Sequence, residues 1–175
     1  HVKYPCRFML VAAANPCKCG YLADAGRACS RAPVCGEDYM GRISGPMMDR
    51  FDLRVEVPPV AYTDLDLPQD GDSSVTIAAR VAAAHNIQDA RYVDDSDTWS
   101  NADAEGKVLE RVATPDTDGR ALLQRVAEKF GLSARGYHRV LRVARTIADL
   151  EGAPDVGENH VAEAVSFRLA MAREV

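Results

Sequence analysis

Residues 41–57, GRISGPMMDRFDLRVEV, constrain the fold of this chain more than any other stretch. Its glycines and proline indicate a turn that leads into one helical turn over 46–50, which ends on Arg50. The alternation of apolar and charged residues over 53–57 then predicts a strand with one polar face. An arginine presented just before a strand can reach a phosphate held by another element, because guanidinium is always charged and binds phosphate oxygens in pairs.

A second strand is predicted over residues 8–14, FMLVAAA, where a short continuous apolar run is typical of a strand buried on both faces. The run ends at Asn15, and an amide at the end of a core strand can orient a water molecule beside a phosphate. Two alternatives stay open at this point. Asn15 and Pro16 can simply form a turn, and Arg50 can pair with a neighbouring aspartate.

The chain then changes character. Residues 61–72 are polar, acidic and contain proline and glycine, so we predict a linker there. Beyond it, Ser73 or Ser74, Asp116 and Ser133 are suited to cap helices. Apolar residues at helical spacing predict helices over 117–130, 134–150 and 158–172. We also predict a helix from the first cap to about residue 92, and a short helix over 102–112 after an acidic break. We therefore predict an α/β domain over 1–60, a linker over 61–72 and an all-α helical bundle over 73–175.

Composition excludes several classes of protein. The net charge of −5 argues against a surface that coats nucleic acid, although a local basic groove remains compatible with it. No apolar run approaches the roughly 18–20 residues of a membrane span, and no secretory signal is present, so we expect a cytoplasmic protein without membrane contact. The chain has no GxxxxGK[ST] phosphate loop, so we expect that alone it neither binds ATP tightly nor hydrolyses it. It begins without methionine, which indicates a part of a longer protein.

The motif AAANP, followed by GRISGPMMDRFDL, resembles the second half of an AAA+ ATPase module in the branch that contains magnesium chelatase subunits and MCM helicases. The string LSARGYHRVLRVARTIADLEG, with HVAEAVSFR after it, is similar to the carboxyl-terminal region of the magnesium chelatase-like proteins called YifB or ComM. The resemblance implies the last strands of a partial AAA+ core followed by a helical lid. Because the other strands would lie elsewhere, we expect residues 8–14 and 53–57 to expose apolar faces.

The resemblance also implies roles for three residues. Asn15 matches the sensor-1 asparagine, Arg50 the arginine finger and Arg135 the sensor-2 arginine, with Asn15 and Arg135 also contacting the nucleotide. The complete protein would use ATP and Mg²⁺, would assemble as a homo-oligomeric ring, typically a hexamer, and would act on DNA in branch migration linked to natural transformation. One alternative is a magnesium chelatase ATPase subunit that drives Mg²⁺ insertion into protoporphyrin IX. Another is an oligomerisation or lid module without catalytic residues.

Four arginines between 135 and 145 are spaced four, three and three residues apart, which predicts one shared helix face. Arg139 and Arg142 are candidates for contact with DNA or with an adjacent subunit. The alternative is a solvated face complemented by nearby acidic side chains.

Four cysteines cluster within one predicted loop, at positions 17, 19, 29 and 35. Cys17, Cys19, Cys29 and Cys35 can supply four thiolates to a tetrahedral Zn²⁺, and free thiols are the alternative. The resemblance implies a CxCG motif followed by CxC. Arg31 stands where the fourth cysteine of that pattern would fall, so zinc binding here requires Cys35 in its place.

Overall fold

The computed structural model describes residues 2, 8–22, 24, 26–60, 62–64 and 71–169. The chain forms two compact units, His1–Met48 and Asp49–Val175. Residues 49–60 therefore lie in the second unit, whereas the sequence analysis assigns them to an amino-terminal domain. Most of the predicted linker (61 and 65–70) and the predicted end of the last helix (170–172) lie outside the described residues.

The first unit contains two short helices, α1 (Val34–Met40) and α2 (Gly45–Met48). The rest of its described part is turns and irregular backbone. Helix α2 occupies the place of the helical turn predicted over 46–50 and ends two residues earlier. The long loop before α1 holds Cys17, Cys19 and Cys29, and Cys35 lies in the first turn of α1.

The structure corrects the prediction of two strands. Residues 8–14 and 53–57 are irregular, and the described residues contain no strand, only an isolated bridge between Pro115 and Val156. A strand completes its backbone hydrogen bonds only by pairing with another strand, and neither segment has such a partner in the described part of the chain. The apolar exposure expected for both segments is confirmed, since Met9 is 88% exposed and Val57 87% exposed. The sheet of an α/β core is therefore not confirmed.

The predicted helical bundle is confirmed. Four of its helices begin within one residue of the predicted position, whereas the helix predicted over 102–112 is a 3₁₀ turn followed by a helix that begins at Gly106. The elements are α3 (Ser74–Arg91), a 3₁₀ turn (Asn101–Asp103), α4 (Gly106–Ala113), α5 (Thr117–Phe130), α6 (Ala134–Glu151) and α7 (Glu158–Leu169).

Capping chemistry explains where these helices begin. The side chains of Ser73, Asp116 and Ser133 each accept a hydrogen bond from a first-turn amide, so all three predicted caps are confirmed. Helices α5 and α6 end at Gly131 and Gly152. Both glycines have positive φ values, of 61° and 73°, which side chains disfavour.

Helix α6 lies at the centre of the bundle, where it packs against α3, α4 and α7, while α7 also packs against α5. Its buried side chains belong to one apolar core that includes residues from α4, α5 and α7 and Tyr92, which follows α3. The buried core comprises Tyr92, Ala104, Leu109, Ala113, Leu123, Val140, Leu141, Ala144, Ile147, Ala148, Val156, Val161, Ala164 and Val165. No helix in the described ranges combines the length and the apolar character needed to cross a membrane.

Candidate functional site

The three residues predicted to contact a nucleotide are all exposed. Asn15 belongs to the first unit, where it follows the irregular apolar run 8–14. Arg50 and Arg135 belong to the second unit, and both lie near the amino-terminal end of α6. Within one unit the structure thus brings together two of the three residues, although they are 85 positions apart in the sequence.

Arg139 joins these two positions. It lies one helical turn after Arg135, and its Nη1 donates to the carbonyl oxygen of Arg50 at 2.8 Å. The same guanidinium pairs with the carboxylate of Asp52 at 2.5 Å. Arg139, proposed from the sequence as a DNA contact, therefore has intramolecular partners in the structure. Its role in DNA binding stays a prediction.

Arg168, on α7, was missed by the sequence analysis. Only 6% of it is exposed, and its guanidinium pairs with the Asp49 carboxylate and donates to the carbonyl oxygen of Phe51 at 3.0 Å. The signal was present in the sequence. Arg168 follows Val161 and Val165 at helical spacing, so a charged residue occupies the apolar face of the helix.

Around residues 49–54, several arginines lie close together and few acidic side chains are present to pair with them. Burial lowers the pKa of Arg54, the charge of Arg168 acts in the same direction, and Asp49 opposes both. The backbone amide of Arg54 donates to the carbonyl oxygen of Phe167 at 3.0 Å, which ties the segment to α7. A negatively charged ligand near this surface would meet a positive local field.

The four arginines on α6 do not share one solvated face, because Arg145 is only 2% exposed. Arg142 donates from Nε to the carbonyl oxygen of Ala104 at 2.8 Å, and its Nη2 lies 3.2 Å from the Glu105 carboxylate. Ten residues of helix place Arg145 about 80° around the axis from Arg135, and this rotation brings Arg145 to the side that faces the core. The proposed DNA contact of Arg142 stays a prediction.

Arg145 belongs to a buried ionic network centred on Asp149. The carboxylate of Asp149 accepts two hydrogen bonds from Arg91, at 2.5 and 2.7 Å, and one from Arg145 Nε at 3.0 Å. Burial by itself would raise the pKa of Asp149. Hydrogen bonds from Arg91 and Asn101 and the charge of Arg145 outweigh it, so the pKa lies below its ordinary value.

Asn101 completes this network and connects α3 to α6. Its side-chain amide donates to Thr146 and to Asp149, while its oxygen accepts from Tyr92 Oη at 2.8 Å. Its backbone amide donates to the buried Gln88 side chain at 2.9 Å. Because the polar groups are satisfied by one another, the network stabilises one arrangement of these helices.

The cysteine loop forms the candidate metal centre of the first unit. The Sγ atoms of Cys17, Cys19 and Cys35 all lie within 4.8 Å of one another, and Cys17 Sγ and Cys19 Sγ are 3.0 Å apart. Cys29 is not part of this group of three, although it acts on the pKa values of Cys19 and Cys35. Three of the four sulfurs predicted as metal ligands are thus together, and all four cysteines are free thiols.

The thiols polarise one another. A hydrogen bond from Cys17, with further hydrogen bonds from the backbone of Tyr21 and Cys29, lowers the pKa of Cys19 to about 6. A hydrogen bond to Cys29, together with burial, raises the pKa of Cys35 to about 12. One thiolate among closely packed sulfurs disfavours ionisation of the others, and a divalent cation relieves that repulsion.

Two family models match the chain. The model described as magnesium chelatase, subunit ChlI C-terminal, matches residues 71–168, which is more than half of the chain. The chain belongs to the magnesium chelatase ChlI family. A second model, described as magnesium chelatase, subunit ChlI, matches residues 1–65. The first match covers the helices that carry Arg135, Arg139 and Arg168, and the second covers Asn15, the cysteine loop and Arg50.

Individual relatives support this membership in the ChlI family. The uncharacterized protein YifB of Salmonella typhimurium is 38% identical over 168 residues, 95% of this chain and 32% of the relative. The competence protein ComM of Haemophilus influenzae is 36% identical over 173 residues, 98% of this chain and 32% of the relative. The chain thus spans about a third of the length of these curated relatives.

Proposed function

We propose that this chain serves an AAA+ ATPase of the ComM and YifB kind, in which Asn15, Arg50 and Arg135 act on the γ-phosphate of ATP. Arg50 would reach the nucleotide of a neighbouring subunit in a ring, typically a hexamer. Asn15 would orient the attacking water, and Arg135 would contact the bound nucleotide. ATP with Mg²⁺ would supply the reacting phosphate and part of its charge neutralisation.

One observation carries this proposal. Two exposed arginines far apart in the sequence, Arg50 and Arg135, lie near the same end of α6 in one compact unit. Positive groups that converge from separate elements suit the charge that develops on phosphate oxygens during transfer. Nearby Arg139 and Arg168 bind aspartates and carbonyl oxygens of residues 49–52, and both Arg50 and Arg135 are exposed to solvent.

The decisive test replaces Arg50 in the complete protein. We expect Arg50→Ala to retain nucleotide binding and to lower ATP hydrolysis by a factor on the order of 10³–10⁵, because an arginine finger acts mainly on the transition state. Arg111→Ala is the matched control, since Arg111 forms an exposed ion pair with Asp95 elsewhere in the same unit. Loss of nucleotide binding in Arg50→Ala, or unchanged hydrolysis, would contradict the proposal.

We further propose that the motor acts in the cytoplasm on branched or single-stranded DNA, in branch migration linked to natural transformation. The competence protein ComM among the relatives supports this choice. A magnesium chelatase ATPase subunit is the second candidate, favoured by the description of both family models. Stimulation of ATP hydrolysis by branched DNA would exclude the chelatase role. Stimulation by protoporphyrin IX with a large partner subunit would exclude the DNA motor.

A lid or oligomerisation module without catalytic residues is the remaining candidate. It is favoured by the helical bundle, which has a complete core of its own. In that case Arg50→Ala would assemble normally and would change no rate.

We also propose that Cys17, Cys19, Cys29 and Cys35 bind one Zn²⁺. Four thiol donors, three of them within 4.8 Å of one another, match the ligand number and chemistry of a structural zinc site. When bound, zinc would cross-link the loop. The cysteines that would hold it lie at the start, in the middle and at the end of this stretch of chain.

Elemental analysis of protein purified without chelator tests the zinc proposal. We expect about one zinc per chain in the wild type and in Ser30→Ala, a control within the same loop. We expect a strong loss in Cys35→Ser, because a closed tetrahedral site needs its fourth thiolate. Metal-free wild-type protein, or unchanged zinc in Cys35→Ser, would contradict this assignment.

A further inference from the structure

The segment formed by residues 49–52, Asp-Arg-Phe-Asp, is held at each of its residues by α6 or α7. Asp49 accepts from Arg168 and from the hydroxyl of Ser133, at 3.3 Å in the latter case. Ser133 is also the cap of α6, so the Asp49 carboxylate joins the start of α6 to the end of α7. Two helices thereby fix the first residue of the segment.

The next three residues are held through their backbone or their acid group. The carbonyl oxygen of Arg50 accepts from Arg139 at 2.8 Å, and that of Phe51 accepts from Arg168 at 3.0 Å. The carboxylate of Asp52 accepts from Arg139 at 2.5 Å. The backbone on both sides of Arg50 is therefore fixed, while the side chain of Arg50 is exposed.

Because Arg168 is buried, its contacts with the 49–52 segment are strongly favoured over a state in which they are broken. A buried guanidinium that loses its acid leaves an uncompensated charge in a poorly solvated place. Arg168 is 6% exposed, and its described partners are Asp49 and the carbonyl oxygens of Asp49 and Phe51. Release of the segment from α7 would therefore cost the desolvation of this cation without compensation.

Helix α6 is shaped for this arrangement at Gly136. A Cβ added there would lie 3.2 Å from Arg168 Nη2 and 3.4 Å from Arg168 Nε, closer than ordinary contacts. Glycine is a poor helix former, yet it occupies the first turn of α6. Its lack of a side chain leaves the path that the Arg168 guanidinium takes across α6 to reach Asp49.

We propose that Arg139 and Arg168 are positioning residues that hold the 49–52 segment and thereby direct Arg50 toward its target. The inference rests on the proposed function, because it assigns Arg50 the role of an arginine finger. It adds a mechanical link. Since the segment is bound to α6 and α7, any movement of these two helices moves Arg50 with them.

Steady-state kinetics of the complete protein test the positioning role. We expect Arg168→Gln to lower kcat for ATP hydrolysis on the order of 10²-fold with an unchanged KM, because a misplacement of about 1 Å has that effect on rate. Arg168→Lys should be intermediate, since ammonium keeps the charge but lacks the fork that spans Asp49 and Phe51. Arg111→Gln, which breaks an exposed arginine–aspartate pair, is the control and should leave kcat unchanged.

A second variant separates positioning from folding. Gly136→Ala keeps every polar partner and improves helix propensity, yet it intrudes on the path of Arg168. We expect a lowered kcat with full helix content by circular dichroism. If Arg168→Gln does not fold, Gly136→Ala still decides the question. Wild-type kcat in Gly136→Ala or in Arg168→Gln, measured where Arg50→Ala is inactive, would overturn the inference.

A third measurement does not depend on ATP hydrolysis. In a double-mutant cycle of thermal midpoints, Asp49→Asn and Arg168→Gln should be clearly less than additive, because each removes the same contact. Additive midpoint shifts would overturn the contact between Asp49 and Arg168, and with it the positioning role, even in an active enzyme. Conversely, coupling in the cycle together with full activity of Arg50→Ala would show that the contact exists and that the proposed function is wrong.

Discussion

The described part of residues 8–60 and the helical bundle of residues 71–169 contain similar apolar side chains, but these are mostly exposed in the first region and buried in the second. In the bundle, Leu123 is fully buried within one continuous core. In the amino-terminal stretch, Phe8 is 75% exposed and Met9 88% exposed. Apolar character by itself therefore does not make a residue part of a core.

The difference follows from how each kind of element satisfies its backbone. A helix completes most of its hydrogen bonds internally, and amphipathic helices can then bury their apolar faces against one another. A strand depends on partners for both its hydrogen bonds and its covered faces. The fold of a helical bundle can therefore be predicted from local spacing in the sequence. The structure of a segment that needs a distant strand as its partner cannot.

The largest effect should come from Asp149→Ala, in the buried part of the bundle. Removal of this buried carboxylate leaves Arg91 and Arg145 without their acid, which costs about 3–5 kcal/mol of unfolding free energy. Asp72→Ala, which breaks an exposed pair with Arg80, should cost at most about 1 kcal/mol. Urea unfolding followed by helical circular dichroism measures both, and equal losses would refute the importance of the buried network.

The same network should make the bundle sensitive to acid. Because the pKa of Asp149 is lowered by folding, its contribution is complete above the ordinary aspartate value of about 4. That contribution is lost as pH falls through the lowered value. The difference in unfolding free energy between wild type and Asp149→Asn should therefore shrink below about pH 4. A difference that grows on acidification would contradict the direction of this shift.

Two leucine substitutions, one in each region, compare the effect of burial on the free energy of unfolding. Leu123→Ala creates a cavity in the core and should lower the unfolding free energy by about 2–5 kcal/mol. Leu53→Ala removes the same atoms from a side chain that is 52% exposed, and should change it by no more than about 0.5 kcal/mol. A large loss for Leu53→Ala would mean that residues 53–57 are packed in solution.

The smallest effect concerns the start of α5. Asp116 accepts a hydrogen bond from the amide of Gly119 at 2.7 Å, so Asp116→Ala should cost about 1 kcal/mol. Asp118→Ala removes a first-turn acid that does not cap the helix and should cost a few tenths of a kcal/mol. Thermal unfolding of both variants checks the order, and a larger loss for Asp118→Ala would contradict the capping assignment.

Prediction from the sequence succeeded where the signal was local. The caps at Ser73, Asp116 and Ser133 are chemical features of single turns. Apolar spacing then identified the last three helices of the bundle. It failed for residues 8–14 and 53–57, because the same apolar pattern has no fixed outcome without a pairing partner.

The candidate sites divide in the same way. The cysteines that approach one another lie in one loop and the first turn of the helix after it, so their grouping was predictable from 19 residues of sequence. Arg168 was missed because its partner Asp49 lies 119 residues away. Its position on the apolar face of α7 showed that it must have a partner, but not which one.

The sequence alone determined the helices, their caps, the family of the chain and the loop that gathers the cysteines, because each depends on neighbours along the chain or on a continuous motif. Only the tertiary structure decided which charges are buried and that α6 and α7 hold the backbone around Arg50. Those contacts depend on helix packing, where the partner of a side chain is set by distance in space. Spacing in the sequence carries no record of it.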